Sequence, residues 1–152
     1  MIPRGGVVED YHIESKREVD TYLARLKYAL NNGATINFQR FRKVDDDCDE
    51  RYTNDYTMNE LFPDEDPGEV LRRELLTLTT NDYLHTVKDT RFPKRSDMRE
   101  FGKVYRGKDE VYIKIRVELC AQNGLGQHTT FVMSFHFAKK PFSEETFPYR
   151  DK

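Results

Sequence analysis

Tyr112, Lys114 and Arg116 alternate with Val111, Ile113, Ile115, Val117 and Leu119, and Ser134 and His136 recur at the same interval twenty residues later. Successive side chains of a strand point to opposite faces. The apolar set of the first segment therefore reads as core, and Glu110, Tyr112, Lys114, Arg116 and Glu118 face away from it. In the second segment Phe131, Met133, Phe135 and Phe137 read as one face, opposite Thr130, Val132, Ser134 and His136. Antiparallel pairing of the two would gather Tyr112, Lys114, Arg116, Ser134 and His136 on one surface. An imidazole, a phenol, a hydroxyl and two fixed cations suit cleavage of an RNA phosphodiester without a metal. The 2′-OH of the RNA is then the nucleophile. The protein needs only a base, an acid for the departing 5′-oxygen, and positive charge near phosphorus. The same alternation is also what the wetted side of a half-exposed sheet looks like.

His85, in Asn81-Asp-Tyr-Leu-His85, is a second imidazole at or near a helix end, and on its own it reads as a surface or capping residue rather than a catalytic one. Residues 85–116 carry ten basic side chains against five acidic ones, among them Arg99, Lys103 and Arg106. Such a run could follow an RNA backbone or coat a solvated loop. Other motifs are incomplete. Asp45, Asp47 and Asp49 begin like a calcium loop, but Glu50 stands in the glycine position and Tyr56 in that of the bidentate glutamate. His128 and His136 have no Cys or carboxylate at ligand spacing, so neither a metal nor a cofactor is expected. Gly124-Leu-Gly126 lacks the Lys-Ser/Thr of a phosphate loop, and Ser134 lacks the setting of a nucleophilic serine.

The elements that must hold this surface are readable in part. Ser15 and Glu18 fit a capping box, and Val19, Tyr22, Leu23, Leu26 and Leu30 continue at helical spacing towards Gly33. Residues 35–41 read as a strand. Asp66-Pro67 reads as a cap and first helical residue, followed by Val70, Leu71, Leu75 and Leu78 on one face. A second short helix is predicted over 81–87. Strands are predicted over 100–105, 110–119 and 129–138, joined by turn-rich segments. Residues 1–14 read as an irregular lead, 43–69 as an acidic surface insertion with a short helix near 58–62, and 139–152 as an arm on the surface. The expectation is one α+β domain over 1–152, with N-terminal helices packed on a C-terminal antiparallel sheet.

Composition bounds the function. The 152 residues suffice for one domain, and 34% charged residues with 37% hydrophobic ones exclude a membrane protein. No apolar run approaches a spanning helix, and the start lacks a signal segment. Cys48 and Cys120 have no redox or metal spacing, which points to the cytoplasm. The net charge of -2 hides a division. Residues 1–84 hold 11 basic and 18 acidic side chains, a balance of −7, and residues 85–152 hold 14 and 9, a balance of +5.

In the order of its motifs the chain resembles the MqsR-like toxins of bacterial type II toxin–antitoxin systems, small endoribonucleases of RelE-like fold. The resemblance runs over about residues 15–138. It rests on the helix ending Asn32-Gly33, Leu78-Thr-Thr-Asn-Asp-Tyr83, Gly102-Lys-Val-Tyr105, Val111-Tyr-Ile-Lys-Ile115 and Val132-Met-Ser-Phe-His136. It implies that Tyr112 is the active-site tyrosine, and that His136 and His85 stand where the family's prototype has catalytic lysines. It also implies that Gly102 stands near the position of an active-site glutamine absent here. The function expected is metal-independent cleavage of single-stranded mRNA by a toxin held by an antitoxin. His136, His85, Tyr112 and Lys114 would be catalytic, and Arg116, Lys103, Arg106 and Arg99 would bind RNA. The alternative is a non-catalytic RNA- or protein-binding module of the same fold.

Overall fold

Ser15 caps the first helix as its sequence predicts. In the computed structural model, which describes residues 9–42, 49–90, 94–120 and 127–150, the Ser15 hydroxyl accepts from the Glu18 amide at 3.1 Å. The Glu18 carboxylate accepts from the Ser15 amide at 3.0 Å. Helix α1 (Lys16–Asn31) buries Val19, Leu23, Leu26, Ala29 and Leu30, and Gly33 follows with φ +84°, a left-handed turn suited to glycine. Asp66 caps α3 (Pro67–Leu75), its carboxylate accepting from the Glu69 amide at 3.0 Å. From α3, Arg72 reaches the carbonyls of Leu30 and Ala34, serving orphaned acceptors around the end of α1. Expectations placed on the first eight residues, on Asp45 to Cys48 and on the turn at 121–126 fall outside the described residues.

Among the described residues, three helices and a six-stranded, mostly antiparallel sheet make up the α+β fold. The strands are β1 (Glu9–His12), β2 (Thr35–Phe38), β3 (Tyr83–Asp89), β4 (Met98–Tyr105), β5 (Asp109–Cys120) and β6 (Gln127–Phe137), and α2 spans Asn54–Leu61. Their order across the sheet is β1-β3-β4-β5-β6-β2, with only β2 and β6 parallel. Buried side chains of all three helices join Tyr83, Phe101, Ile113, Ile115, Val132 and Phe135 in one apolar cluster.

Several expectations are corrected. Residues 81–87 are not a helix. One 3-10 turn at Thr80–Asp82 is closed by the Asp82 carboxylate on the Thr79 amide at 2.9 Å, and the chain then extends as β3 between β1 and β4. The lead is not wholly irregular, since residues 9–12 add an edge strand to β3. The insertion contains α2 and a 3-10 turn at Glu50–Tyr52. The C-terminal arm is not merely superficial: Phe147 is 3% exposed, Tyr149 stacks on Tyr83 at 6.1 Å, and its hydroxyl donates to the Glu14 carbonyl.

The last strand also breaks its own alternation. Lys114 pairs with Ser134, but Ile115 pairs with Val132, so Met133 is an extra residue in β6. Phe135 stays on the core face, while Val132 is turned into it. Phe131 moves to the polar face, where the Arg116 guanidinium lies 5.2 Å from its ring centroid. Beyond the bulge β6 has no β2 partner, and α2 covers the open edge. Asn54 donates to the carbonyls of Met133 (3.0 Å) and Gln39 (2.7 Å) and accepts from the Phe135 amide at 2.9 Å. Thr57 accepts from the Phe137 amide at 2.9 Å. Side chains of a helix thus replace a missing strand.

Candidate functional site

Alternation along β4 places Glu100 and Gly102 opposite Phe101, on the face that carries Tyr112 and Lys114 of β5. A second register shift brings His85 there. Tyr83 pairs with Phe101 and His85 with Glu100, so Leu84 is the extra residue. Without it, His85 would share the face of Tyr83. Glu100, only 2% exposed, is the hub. Its Oε1 accepts from the Tyr112 hydroxyl and lies 2.9 Å from His85 Nε2, and its Oε2 lies 3.9 Å from Lys114 Nζ. The Tyr112 ring packs at 5.3 Å from that of His136, its cross-strand neighbour. Three of the four side chains expected to be catalytic, Tyr112, His85 and Lys114, therefore meet at a carboxylate outside the expected set, and His136 adjoins that group through the Tyr112 ring. The carboxylate's signal was present: Glu100 immediately precedes a core phenylalanine in a predicted strand.

The two imidazoles differ in setting. His136 Nδ1 lies 2.9 Å from the Phe137 carbonyl, which assigns that nitrogen a proton and leaves Nε2 as acceptor. Burial, foremost, and the cations Lys139 and Arg42 hold His136 below its ordinary value of 6.5, against the opposing effect of that hydrogen bond. His136 is thus held towards the neutral imidazole, with its one proton on Nδ1. His85 hydrogen-bonds to Glu100 through Nε2 and meets the exposed Tyr11 edge to face at 4.8 Å. Two strands separate β3 from β6, so at the usual strand spacing the two backbones are about 14 Å apart. His85 and His136 do not form an adjacent pair.

The cations divide. Lys114 and Arg116 lie on this face but are only 7% and 6% exposed, with Glu100 and Glu118 as carboxylate neighbours. Arg99 has the parity of Phe101 and lies on the opposite face, its Nε 2.8 Å from Glu14 and its guanidinium 4.3 Å from the Tyr22 ring. Lys103 shares that parity and donates to the Thr77 hydroxyl at 2.9 Å. Arg106 sits in the β4–β5 turn, 2.6 Å from Asp109. The structure therefore does not bring Arg99, Lys103 or Arg106 to the Tyr112 face. It brings Arg42 instead, held 3.3 Å from the Met133 carbonyl and 3.5 Å from the Ser134 hydroxyl. Arg42 lies beyond the basic run and carried no sequence signal.

Gly102, beside Tyr112, accommodates the C-terminal arm. A Cβ there would lie 2.7 Å from one ring carbon of Phe142 and 3.0 Å from Phe147. A glutamine side chain has no room at this position while the arm is docked. The cavity beside His136, walled by Arg42, Asn54 and Ser134 among others, measures about 10 Å³, so a ligand would lie on the open face.

Among the described residues no group of three or more His, Cys, Asp and Glu side chains is placed to hold a metal ion. No helix among them is long and apolar enough to cross a membrane. No protein-family model matches the chain, nor does any curated protein or solved structure.

Proposed function

We propose that this chain is a metal-independent endoribonuclease acting on single-stranded RNA, with its helices and sheet in a RelE-like arrangement, and that it is a toxin restrained by an antitoxin protein. The observation that carries the reading is the contact between an imidazole held towards its neutral form, His136, and a phenol, Tyr112, whose hydroxyl is aligned by Glu100. His136 Nε2 takes the proton of the RNA 2′-OH, and the 2′-oxygen attacks phosphorus. The bond from phosphorus to the 5′-oxygen breaks, and the Tyr112 hydroxyl supplies that oxygen with its proton. The products are a 2′,3′-cyclic phosphate and a 5′-hydroxyl end. His136 then returns the acquired proton through solvent to the phenolate. Arg42 is the accessible cation for the phosphorane, while Lys114 and Arg116 provide positive charge from below. His85, remote from His136 and tied to the same Glu100 oxygen as Tyr112, is a positioning residue.

Incubation of the purified protein with a long mRNA in EDTA, followed by mapping of the ends, tests this. Cyclic phosphate ends that vanish in His136→Ala and Tyr112→Phe are expected. Failure of the wild type to cleave, or full activity in both variants, overturns it. One observation favours a binding module instead: Lys114 and Arg116 are buried and already faced by carboxylates. A module of that kind would retain RNA or a protein partner in a salt-dependent pull-down without generating new ends.

A further inference from the structure

The opposite face of the sheet carries a larger feature. A cleft of about 850 Å³ lies between α1 and the strands β4 and β5. Tyr22 of α1 and Val117 of β5 give it an apolar wall, with Leu26 fully buried behind them. Arg17, Thr21 and Arg25 recur every four residues along α1 and so project from one side of the helix into its lining. Lys94, Arg95 and Arg99 line it from the segment entering β4 and from β4 itself.

Three carboxylates share this lining, and each is already engaged. Glu14 accepts from Arg99 at 2.8 and 3.2 Å and from the Thr86 hydroxyl at normal or shorter distance. Glu18 closes the cap of α1 on the Ser15 amide. Glu118 lies 3.2 Å from Arg116 Nε. Among the described residues no ion pair reaches Arg17, Arg25 or Lys94. Among the described residues the Tyr22 hydroxyl has no hydrogen-bond partner, but it is buried, so the part of Tyr22 open to the cleft is not its hydroxyl.

We propose that this cleft binds a nucleoside polyphosphate. Its volume falls in the range of sites for small organic ligands and is far greater than a bare phosphate needs. Arginine presents a planar fork of donors to phosphate oxygens, and Arg17 and Arg25, two helical turns apart, match a chain of phosphates rather than one. The apolar wall of Tyr22 and Val117 suits the base. The cleft is separate from the Tyr112–His136 contact: Arg99 and Glu100 are consecutive in β4 and point to opposite sides, and the Tyr112 face meets the lining at Glu118, six residues further along β5.

Calorimetric titration of the full chain with ATP and GTP, each at low and high salt, is the test. Saturable binding of one of them at one site per chain, weakened by salt, is expected. Adenosine or guanosine and inorganic tripolyphosphate should each bind at least tenfold more weakly. Arg17→Ala/Arg25→Ala, which changes two exposed side chains, should fold normally and lose tenfold or more in affinity. The proposal is overturned if neither nucleotide saturates the wild type, or if the arginine variant binds as well as the wild type. Tripolyphosphate binding as tightly as the nucleotide, or a single-stranded oligonucleotide displacing it from the same arginines with higher affinity, would equally overturn it.

Discussion

The hydroxyl of Tyr112 donates to Glu100 Oε1, the same oxygen that lies 2.9 Å from His85 Nε2. Because Glu100 Oε2 also lies 3.9 Å from Nζ of buried Lys114, one side chain both aligns the phenol and contributes to the charge balance beneath it. Removing its charge should therefore be costly to stability.

Glu100→Gln leaves Lys114 with a weakened partner in a buried setting, and a loss of about 3 kcal/mol is expected in urea denaturation. The double variant Glu100→Gln/Lys114→Met should recover part of that loss. If the two substitutions simply add, the side chains are not coupled.

The pH dependence separates His136 from the acids. Its value in the folded protein lies below 6.5, its ordinary value, so the unfolded chain binds the proton more readily. The stability it contributes is complete above pH 6.5 and is lost as pH falls through the lower folded value. For Glu14, burial raises the carboxyl, but Arg99 and Thr86 outweigh it and hold the group below 4.5, so its contribution is lost only in more acid solution. Urea midpoints at about pH 7.5 and about pH 5.5 should differ in the wild type and converge in His136→Gln. An unchanged difference would show that another group titrates there.

Asn54 replaces strand partners along the exposed part of β6, satisfying one amide and two carbonyls. Asn54→Ala should cost about 2 to 3 kcal/mol. The Phe135 amide should then exchange its hydrogen faster, relative to global unfolding, than it does in the wild type. Parallel changes in every β6 amide would argue against this local role.

Gly102→Ala places a methyl group where the arm's rings pack. Either the arm shifts or the sheet yields, at a cost of about 1 to 3 kcal/mol. Protease nicking within residues 139–150 should rise sharply while the rest of the chain stays resistant. Wild-type resistance throughout would mean that the rings adapt without undocking.

Much of this was legible where a local signal decides the outcome. The Ser15–Glu18 box, the apolar stripe of α1, the Asp66-Pro67 start of α3 and the alternation of β5 all appear as expected, because each is set by neighbours within a few residues. The failures have physical causes. Leu84 and Val87 repeat at a helical interval, yet β1 and β4 claim the segment's backbone on both sides. The extra residue at Met133 lies in the run Phe131-Val-Met-Ser-Phe135, where the alternation of Phe131, Met133 and Phe135 looks unbroken, so composition does not betray it. Strand β1 carries Asp10 and His12, and β2 finds its partner nearly a hundred residues away. The placement of Arg99 and Lys103 was avoidable, since both share the parity of Phe101. For Arg42 no such clue existed.

The order of the strands has a consequence for how the chain is made. Both edges of the sheet, β1 and β2, come from the first 38 residues, and the strands between them come from residue 83 onward. During synthesis the borders emerge before the middle. β2 has no strand to join until Thr129–Val132 has left the ribosome, because that stretch supplies its partner. Such distant pairings slow folding, so α1 and β2 must wait with their apolar sides uncovered through most of translation. A chaperone or a partner that recognises the N-terminal third would act in that interval, before the sheet that carries Tyr112 and His136 exists.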